Sequence, residues 1–361
     1  MQTEVHINLK KEIDDSYDIV IGTSLPRAAR DILRSFPSDH YFLISDSNVK
    51  RAYGNIMLRS IKKNGVRCAI VAIPAGEQSK SRKVKDTLED KLLLLGIDRN
   101  SVIIALGGGM VGDLAGFIAS TLLRGISYIQ IPTTLLAQVD SAVGGKVAIN
   151  HPLGKNLFGA FHQPRRVYID VGTLTTLPDL EFANGMAEVV KYGAILDAPF
   201  VSFLEDNTGC ISGRNESVLA AIIKRCCELK AHVVGLDEKE FGYRRVLNFG
   251  HTIGHALESL SRYRLLHGQA VAVGMVAEAR ISASLGLLRT ADVSRLERLL
   301  SGFHLPTRIP GSIDIGRLCR ATLQDKKTKG GIVHYTLLSR LGKARVGVGV
   351  SHQQVQRILA R

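Results

Sequence analysis

SVIIALGGGMVGDLAGFIASTLL, residues 101–123, decides the fold class of this chain. The stretch opens with a short aliphatic run, continues through consecutive glycines and ends in a largely apolar segment. It is about long enough to cross a bilayer, but a carboxylate at Asp113 is costly in lipid and consecutive glycines break a helix. The stretch therefore predicts a buried strand, a tight turn and a helix rather than a membrane span.

Aliphatic strands alternate with amphipathic segments on both sides of this stretch. The predicted strands are YFLIS (41–45), CAIVAI (68–73), SVIIAL (101–106) and YIQIP (128–132). Such alternation predicts a parallel sheet with helices on both faces and with ligands at the carboxyl ends of its strands.

The pattern changes after about Asp170, where long helical stretches dominate and strand signal is nearly absent until IVHYTLLS at residues 332–339. We predict an α/β plus all-α architecture. A Rossmann-like nucleotide-binding domain is expected over residues 1–172 and a mainly helical domain over residues 173–361. The cleft between two such domains is the expected place for an active site.

The composition is that of an ordinary globular protein, with 45% hydrophobic and 22% charged residues in a chain of 361. That length allows two cores, and the first residues do not resemble a leader segment, so a cytoplasmic protein is expected. The cysteines are odd in number and contain no CxxC pair, which predicts buried thiols. They are Cys68, Cys210, Cys226, Cys227 and Cys319.

The formal net charge of +14 suits a nucleic-acid partner, an anionic small substrate or merely a basic surface. The lysines and arginines are scattered, tryptophan is absent and only 6% of residues are aromatic, so few side chains could stack on bases. No nucleic-acid or membrane partner is predicted, and charge alone does not decide the function.

The turn GGGMVGDLAGF (107–117) lies where a parallel sheet binds phosphate, because a helix N-terminus there offers free N–H groups. Its spacing is not GxGxxG, and no acidic residue lies between Asp113 and Asp140 to bind a ribose. Polar residues at other strand ends could replace that acid, and they are Asp46, Asn48, Glu77 and Lys80. The alternative is a tight turn that only serves packing.

FGHTIGHAL (249–257) places His251 and His255 four residues apart, on one face of a predicted helix. The motif is not HExxH, which disfavours a metalloprotease. His267 and Glu188 are further candidates, since two imidazoles and one carboxylate leave an open position on a catalytic metal. Spacing alone does not decide which two histidines bind, and hydrogen-bonded structural histidines are the alternative.

Cationic residues recur beside glycines, amides or apolar residues, where they cost desolvation free energy unless they meet an anion. Each can also be a solvated surface side chain. Together they suggest a phosphorylated, carboxylated substrate. They are Arg124, Lys146, Lys155 with the adjacent Asn156, Lys191, Lys230, Arg244 and Lys326.

Several segments, taken in order, closely resemble the 3-dehydroquinate synthase family over about residues 46–327. The segments are GGGMVGDLAGF (107–117), IPTTLLAQVDSAVGGKVAIN (131–150), GKNLFGAFHQP (154–164), GMAEVVKYG (185–193), DEKEFGYRRVLNFGHTIGHALE (237–258), LLHGQAVAVGM (265–275) and DKK (325–327). The resemblance implies a Rossmann-like domain, a helical domain, bound NAD, and a divalent metal ion, zinc or cobalt.

The resemblance also implies a role for each matching residue. The metal ligands would be Glu188, His251 and His267, with His255 left to face the substrate as a proton relay. The NAD contacts would be Asp46, Asn48, Glu77, Lys80, Gly108, Gly109, Asp113, Thr133, Thr134, Lys146 and Lys155. The substrate contacts would be Asp140, Lys146, Asn156, Lys191, Lys230, Arg244, Asn248, His255 and Lys326. Arg124 would reach a phosphate in a neighbouring subunit, which implies a homodimer.

The implied reaction converts 3-deoxy-D-arabino-heptulosonate 7-phosphate to 3-dehydroquinate through transient oxidation by NAD, loss of phosphate, reduction, ring opening and aldol closure. Three alternatives remain at the level of sequence. One is another sugar phosphate cyclase, such as 2-deoxy-scyllo-inosose synthase, and the second is a metal-dependent polyol dehydrogenase, which would accumulate NADH. The third is a basic nucleic-acid binder, whose binding would fall steeply with salt.

Overall fold

The computed structural model describes residue 6 and residues 14–262, 264–323 and 332–360. Its strands are β1 (Asp18–Ile21), β2 (His40–Asp46), β3 (Arg67–Ile73), β4 (Val102–Gly107), β5 (Ser127–Pro132), β6 (Lys146–His151), β7 (Gly154–Phe161), β8 (Arg166–Ile169), β9 (Ile332–Arg340) and β10 (Lys343–Ser351). Its helices are α1 (Leu25–Ser35), α2 (Ser47–Val49), α3 (Asn55–Lys62), α4 (Arg82–Leu94), α5 (Gly109–Thr121), α6 (Asp179–Leu196), α7 (Ala198–Asp206), α8 (Thr208–Ser212), α9 (Glu216–Leu236), α10 (His251–Leu260), α11 (His267–Ser284), α12 (Thr290–Gly302), α13 (Ile315–Leu323) and α14 (His352–Leu359).

The central sheet has six parallel strands in the order β1-β8-β5-β4-β2-β3. This confirms the predicted parallel sheet, and all four strands expected from sequence are present. The predicted strand, turn and helix over residues 101–123 are confirmed as β4 and α5. Every residue of β4 is buried, as in parallel strands covered on both faces. Among the described residues, no helix is both long and apolar enough to cross a membrane.

The register of the sheet brings the polar strand ends to one edge. Asp46 at the end of β2 pairs with Ile73 of β3, and Gly107 at the end of β4 pairs with Pro132 of β5. Chain order reverses between β2 and β4, because β3 lies outside β2 while β5 lies on the other side of β4. The glycine turn after β4 is therefore at the switch point, where open α/β sheets bind ligands.

The structure also contains strands that sequence patterning missed. β1 and β8 extend one side of the sheet, β6 and β7 form an antiparallel hairpin, and β10 pairs with β9. β1 and β8 are only four residues long, which is too short for a clear period. β7 is mostly half-buried or exposed and lacks the continuous apolar run of a buried strand.

Helices dominate after β8, and their packing continues the core of the sheet. Leu135 and Val167 from the first half share one cluster of buried side chains with Met186 of α6 and Ile222 of α9. The two halves of the chain therefore meet over an apolar surface. The expectation of buried thiols holds for four cysteines but is wrong for Cys210, which is exposed on the short helix α8.

Candidate active site

Glu188, His251 and His267 converge on one point in the helical half. Glu188 lies in the middle of α6 and is fully buried, while the histidines are the first residues of α10 and α11. Glu188 Oε1 lies 3.5 Å from His251 Nε2 and 3.4 Å from His267 Nε2. One ligand atom from each residue lies within 4.8 Å of the others, close enough for a single ion.

The protonation of His251 fits a metal ion between these groups. Its Nδ1 lies 3.1 Å from the Phe249 carbonyl, which only accepts, so Nδ1 carries the proton and Nε2 turns a lone pair to Glu188. Burial, reinforced by the Lys191 charge, holds the pKa of His251 well below its usual range. A neutral nitrogen and a carboxylate therefore face each other as two acceptors, an arrangement that a cation stabilises.

The Glu188 carboxylate is ionised although it is buried. Burial alone would raise its pKa, but the charge of Lys191, together with the neighbouring histidines, outweighs burial and leaves the pKa at about 2. Lys191 Nζ forms an ion pair with Oε2, yet neither buried oxygen accepts a hydrogen bond of normal geometry in the described structure. A buried carboxylate without directional donors is typical of a metal ligand.

Two backbone features place His251 at this point. Gly250 adopts φ +79°, a conformation that favours glycine, and a Cβ there would lie 2.9 Å from the Met275 nitrogen. The buried Glu278 carboxylate of α11 then accepts hydrogen bonds from Gly250 N–H (2.7 Å) and Ile253 N–H (3.2 Å). These N–H groups are the donors that an uncapped helix leaves unsatisfied, so Glu278 caps α10.

His255 lies one turn after His251 and is exposed. Its ring centroid is 5.3 Å from that of His251 and 6.1 Å from that of His267. His255, Glu258 and His267 form a second group with metal-ligand spacing, which shares His267 with the first. The geometry thus places all three predicted histidines together, and the assignment of His255 to the substrate stays a prediction.

The glycine turn at the sheet edge leaves no room for side chains. A Cβ on Gly108 would lie 3.0 Å from Thr134 Cγ2, and one on Gly109 would lie 2.8 Å from Ser141 Oγ. Gly108 is the N-cap of α5 and makes no side-chain cap, and the buried Thr133 hydroxyl has no partner in the described structure. The helix end and this hydroxyl could therefore bind a phosphate group.

Two further predicted nucleotide contacts, Asp46 and Glu77, lie at this edge of the sheet. Asp46 accepts hydrogen bonds from Asn48 N–H (2.8 Å) and Val49 N–H (3.1 Å), so its carboxylate also caps α2. Glu77 Oε1 accepts from Asn150 Nδ2 at 2.7 Å. Asp46 ends β2 and Glu77 follows β3, as the sequence predicts for residues that could bind a ribose.

Lys80 joins the sheet to the hairpin. Its ammonium donates to Asp113 Oδ2 and to Asn156 Oδ1, at 2.5 Å in each case. Burial raises the pKa of Asp113, and the charge of Lys80 opposes that effect. Lys80 therefore contacts two other predicted site residues.

Asp140 lies in the short turn after β5 and joins it to the helical half. Its carboxylate accepts from Lys230 Nζ at 2.5 Å and from the Tyr192 hydroxyl at 2.6 Å. Burial alone would raise its pKa, but the ammonium charges of Lys230 and Lys191 outweigh burial and lower it. Asp140 directly precedes Ser141, which contacts the glycine turn, so contacts run from that turn to α6.

A second polar cluster surrounds the 3-10 turn Tyr243–Asn248. Glu240 contacts the Lys146 ammonium and accepts a hydrogen bond from Asn248 Nδ2 at 2.7 Å. The buried Arg244 guanidinium donates to the carbonyls of Glu238 and Gly144, the latter at 3.0 Å. The predicted residues Lys146, Arg244 and Asn248 therefore belong to one cluster.

Four of the lysines predicted to meet a substrate anion form ion pairs with carboxylates of this chain. Their desolvation therefore does not by itself require a substrate anion, because each of these ammonium groups already has a counter-charge. The pairs are Lys146–Glu240, Lys155–Glu258, Lys191–Glu188 and Lys230–Asp140.

Two predicted site residues, Arg124 and Lys326, are not among the contacts described above. Arg124 is exposed at the far end of α5, a helix of 13 residues that spans about 20 Å from the glycine turn. Leu123 and Arg124 have φ +52° and +69°, so the chain turns sharply where Arg124 points outward. Lys326 lies outside the described residues.

Sequence patterning missed four side chains of the site, and they are Tyr192, Glu240, Glu258 and Glu278. Tyr192 directly follows Lys191 and contacts Asp140, while Glu278 stands within a run of buried, mostly apolar residues of α11. A carboxylate in such a helix needs a buried partner, and this signal could have identified Glu278.

Comparison with known proteins identifies the family of this chain. The pattern described as 3-dehydroquinate synthase N-terminal matches residues 70–184, and the one described as 3-dehydroquinate synthase C-terminal matches residues 185–328. The 3-dehydroquinate synthase of Pelobacter propionicus is 51% identical over 324 residues, which cover 89% of this chain and 90% of that protein.

Two solved structures show the same architecture. A 2-deoxy-scyllo-inosose synthase complexed with carbaglucose-6-phosphate, NAD+ and Co2+ has a TM-score of 0.86 and 30% identity, covering 94% of this chain and 95% of that one. A 2-epi-5-epi-valiolone synthase from Streptomyces hygroscopicus subsp. jinggangensis, with NAD+ and Zn2+ bound, has a TM-score of 0.89 and 26% identity, covering 98% of both chains. By its two matched patterns and its identity to a curated relative, this chain belongs to the 3-dehydroquinate synthase family.

Proposed function

We propose that this chain converts 3-deoxy-D-arabino-heptulosonate 7-phosphate to 3-dehydroquinate and phosphate. It acts as a phosphate-eliminating carbon–oxygen lyase that depends on NAD and on a divalent metal ion, zinc or cobalt. The convergence of Glu188, His251 and His267 on one point supports this proposal most strongly. The contacts of Asp140 and Ser141 connect that point to the glycine turn at the sheet edge.

The donor sets fit both cofactors. Glu188, His251 and His267 would hold the metal, and the edge formed by Gly108, Gly109 and the strand ends would hold NAD. When bound, the metal polarises substrate oxygens and NAD takes up and returns a hydride, so the reaction has no net oxidation.

His255 is proposed to move protons. Its imidazole is exposed beside His251, so it can exchange protons with solvent while lying next to the proposed metal ligands. An imidazole can both accept and donate a proton, which suits a proton relay.

The polar cluster around Glu240 is proposed to hold the anionic groups of the substrate. Lys146 is about half exposed and contacts Glu240, so a substrate carboxylate or phosphate can approach the same ammonium. Arg244 is anchored by two backbone carbonyls and fixes the loop at Gly144. Asn156, Lys191 and Lys230 complete the proposed lining.

A homodimer is proposed from Arg124, which lies too far from the glycine turn of its own chain to serve that chain's pocket. Co-expressing an Arg124→Ala chain with a His251→Ala chain tests this idea. Each variant alone is expected to be inactive, whereas a mixed dimer contains one pocket with both residues intact and regains activity. Failure of the mixture to regain activity would contradict a shared site.

Purified protein mixed with the heptulosonate phosphate, NAD and zinc tests the proposed reaction. Phosphate release without lasting NADH absorbance is the expected result. Lasting NADH would favour a polyol dehydrogenase. Phosphate release from glucose 6-phosphate instead would favour an inosose synthase, in line with the carbaglucose-6-phosphate in the related structure. Inactivity with every substrate would refute the proposal.

A further inference from the structure

Glu258 is a buried carboxylate between the metal cluster and the hairpin. It lies on α10, and only 3% of its side chain is exposed. Its two oxygens face different nitrogen atoms: Oε2 lies 3.5 Å from His267 Nδ1, and Oε1 accepts a hydrogen bond from Lys155 Nζ at 2.8 Å.

The two nitrogens of His267 face two different carboxylates. Nε2 lies 3.4 Å from Glu188, and Nδ1 faces Glu258. A carboxylate only accepts, so Nδ1 of His267 donates its proton to Glu258, and Nε2 would then be the nitrogen that binds a metal ion held by Glu188. The Phe249 carbonyl does the same for His251, so each imidazole has its own acceptor.

Lys155 extends this arrangement to the other half of the molecule. It lies on β7, and the next residue, Asn156, accepts a hydrogen bond from Lys80 at the sheet edge. Adjacent hairpin residues therefore contact the sheet through Asn156 and the helical half through Lys155 and Glu258.

We infer that Glu258 is a positioning residue that fixes the orientation and tautomer of His267 and ties this imidazole to the hairpin through Lys155. The inference rests on the proposed function, because it takes His267 to be a metal ligand. Removing a carboxylate that orients a ligating histidine weakens metal binding about 10-fold to 100-fold.

Chelator competition on the full-length protein, measuring the dissociation constant for zinc, tests the inference. Glu258→Gln is expected to weaken zinc binding about 10-fold to 100-fold, because an amide offers one acceptor oxygen for two donors. Glu228→Gln is the matched control: Glu228 pairs with Arg225 on the surface of α9, where 47% of its side chain is exposed. Equal zinc affinity in wild type and Glu258→Gln overturns the inference.

The double variant Lys155→Met with Glu258→Gln separates positioning from general damage. Without Lys155, the single amide oxygen is left to His267, so the double variant is expected to bind zinc more tightly than Glu258→Gln alone. A double variant that binds zinc more weakly than Glu258→Gln overturns the inference.

Nitrogen-15 NMR of the zinc-loaded wild type tests the tautomer without any substitution. His267 is expected to carry a proton on Nδ1, and an unprotonated or metal-bound Nδ1 overturns the inference. Failure of the proposed function has a different signature, in which wild type binds zinc but releases no phosphate from the heptulosonate phosphate. A wild type that binds no zinc overturns both.

Discussion

Glu278→Ala is expected to destabilise the protein by removing the cap of α10. The carboxylate is fully buried and accepts hydrogen bonds from the Gly250 and Ile253 N–H groups at 2.7 and 3.2 Å. Alanine leaves both N–H groups buried without these acceptors, and each such loss costs about 1–3 kcal/mol. The free energy of unfolding should therefore fall by about 2–6 kcal/mol, a large part of the roughly 5–15 kcal/mol of a native protein.

Urea unfolding followed by circular dichroism measures this loss. Glu278→Gln keeps one carbonyl acceptor and is expected to lose only about 1–3 kcal/mol. Glu297→Ala is the control, since its ion pair with Arg280 is partly exposed and worth at most about 1 kcal/mol. An alanine variant within about 1 kcal/mol of wild type, or a glutamine variant less stable than the alanine variant, would refute the argument.

Glu278→Ala should also weaken zinc binding. The helix α10 begins at His251, so fraying of its first turn would move the backbone of His251 and with it the imidazole. A glutamine variant with intermediate zinc affinity is expected. If Glu278→Ala lowered stability but left zinc affinity unchanged, the cap would support the fold without positioning His251.

Three further predictions concern the site and the sheet. His251→Ala should abolish zinc binding, whereas His255→Ala should keep bound zinc and lower the turnover rate. Equal zinc loss in both variants, measured by metal analysis, would contradict the assignment of His251 to the metal and His255 to the substrate. Lys146→Ala should abolish turnover with little change in melting temperature, because the side chain is about half exposed and its ion pair contributes little; a collapsed melting temperature would contradict its role. The Tyr168 hydroxyl, 2.5 Å from Asp31, lowers the pKa of that carboxyl, so the stabilisation is present above the ordinary carboxyl pKa and is lost as pH falls through the lower folded value. Tyr168→Phe should therefore destabilise the protein less at acid pH than at neutral pH, and urea midpoints at both pH values measure the difference.

The parallel sheet was predictable because buried parallel strands are continuous aliphatic runs. The apolar runs of β2, β3, β4 and β5 stand out for this reason, and a parallel sheet places their polar ends at one edge. The hairpin β6–β7 was not predictable in this way, since β7 exposes much of both faces and contains glycines. Yet this hairpin carries Lys155 and Asn156, which connect the two halves of the site.

The glutamates of the site were harder to predict than its histidines and lysines. A glutamate on a helix usually faces solvent, so Glu258 in HALE has no pattern that sets it apart. Its role depends on Lys155, more than 100 positions away, and such a contact is not visible in local periodicity. The domain division at residues 172 and 173 likewise stays a prediction, because apolar packing between α6 and the sheet crosses it.

Helical spacing could not separate His251 from His255, because residues four apart face the same side of a helix. Burial of the side chain distinguishes the two histidines in the structure. His251 is the first residue of α10 and only 12% of its side chain is exposed, whereas His255 lies one turn further on and is exposed. The left-handed Gly250 turns the chain so that the Phe249 carbonyl meets the first imidazole, and Glu278 holds that turn in place. A glycine and a buried acid from another helix therefore determine which imidazole faces Glu188.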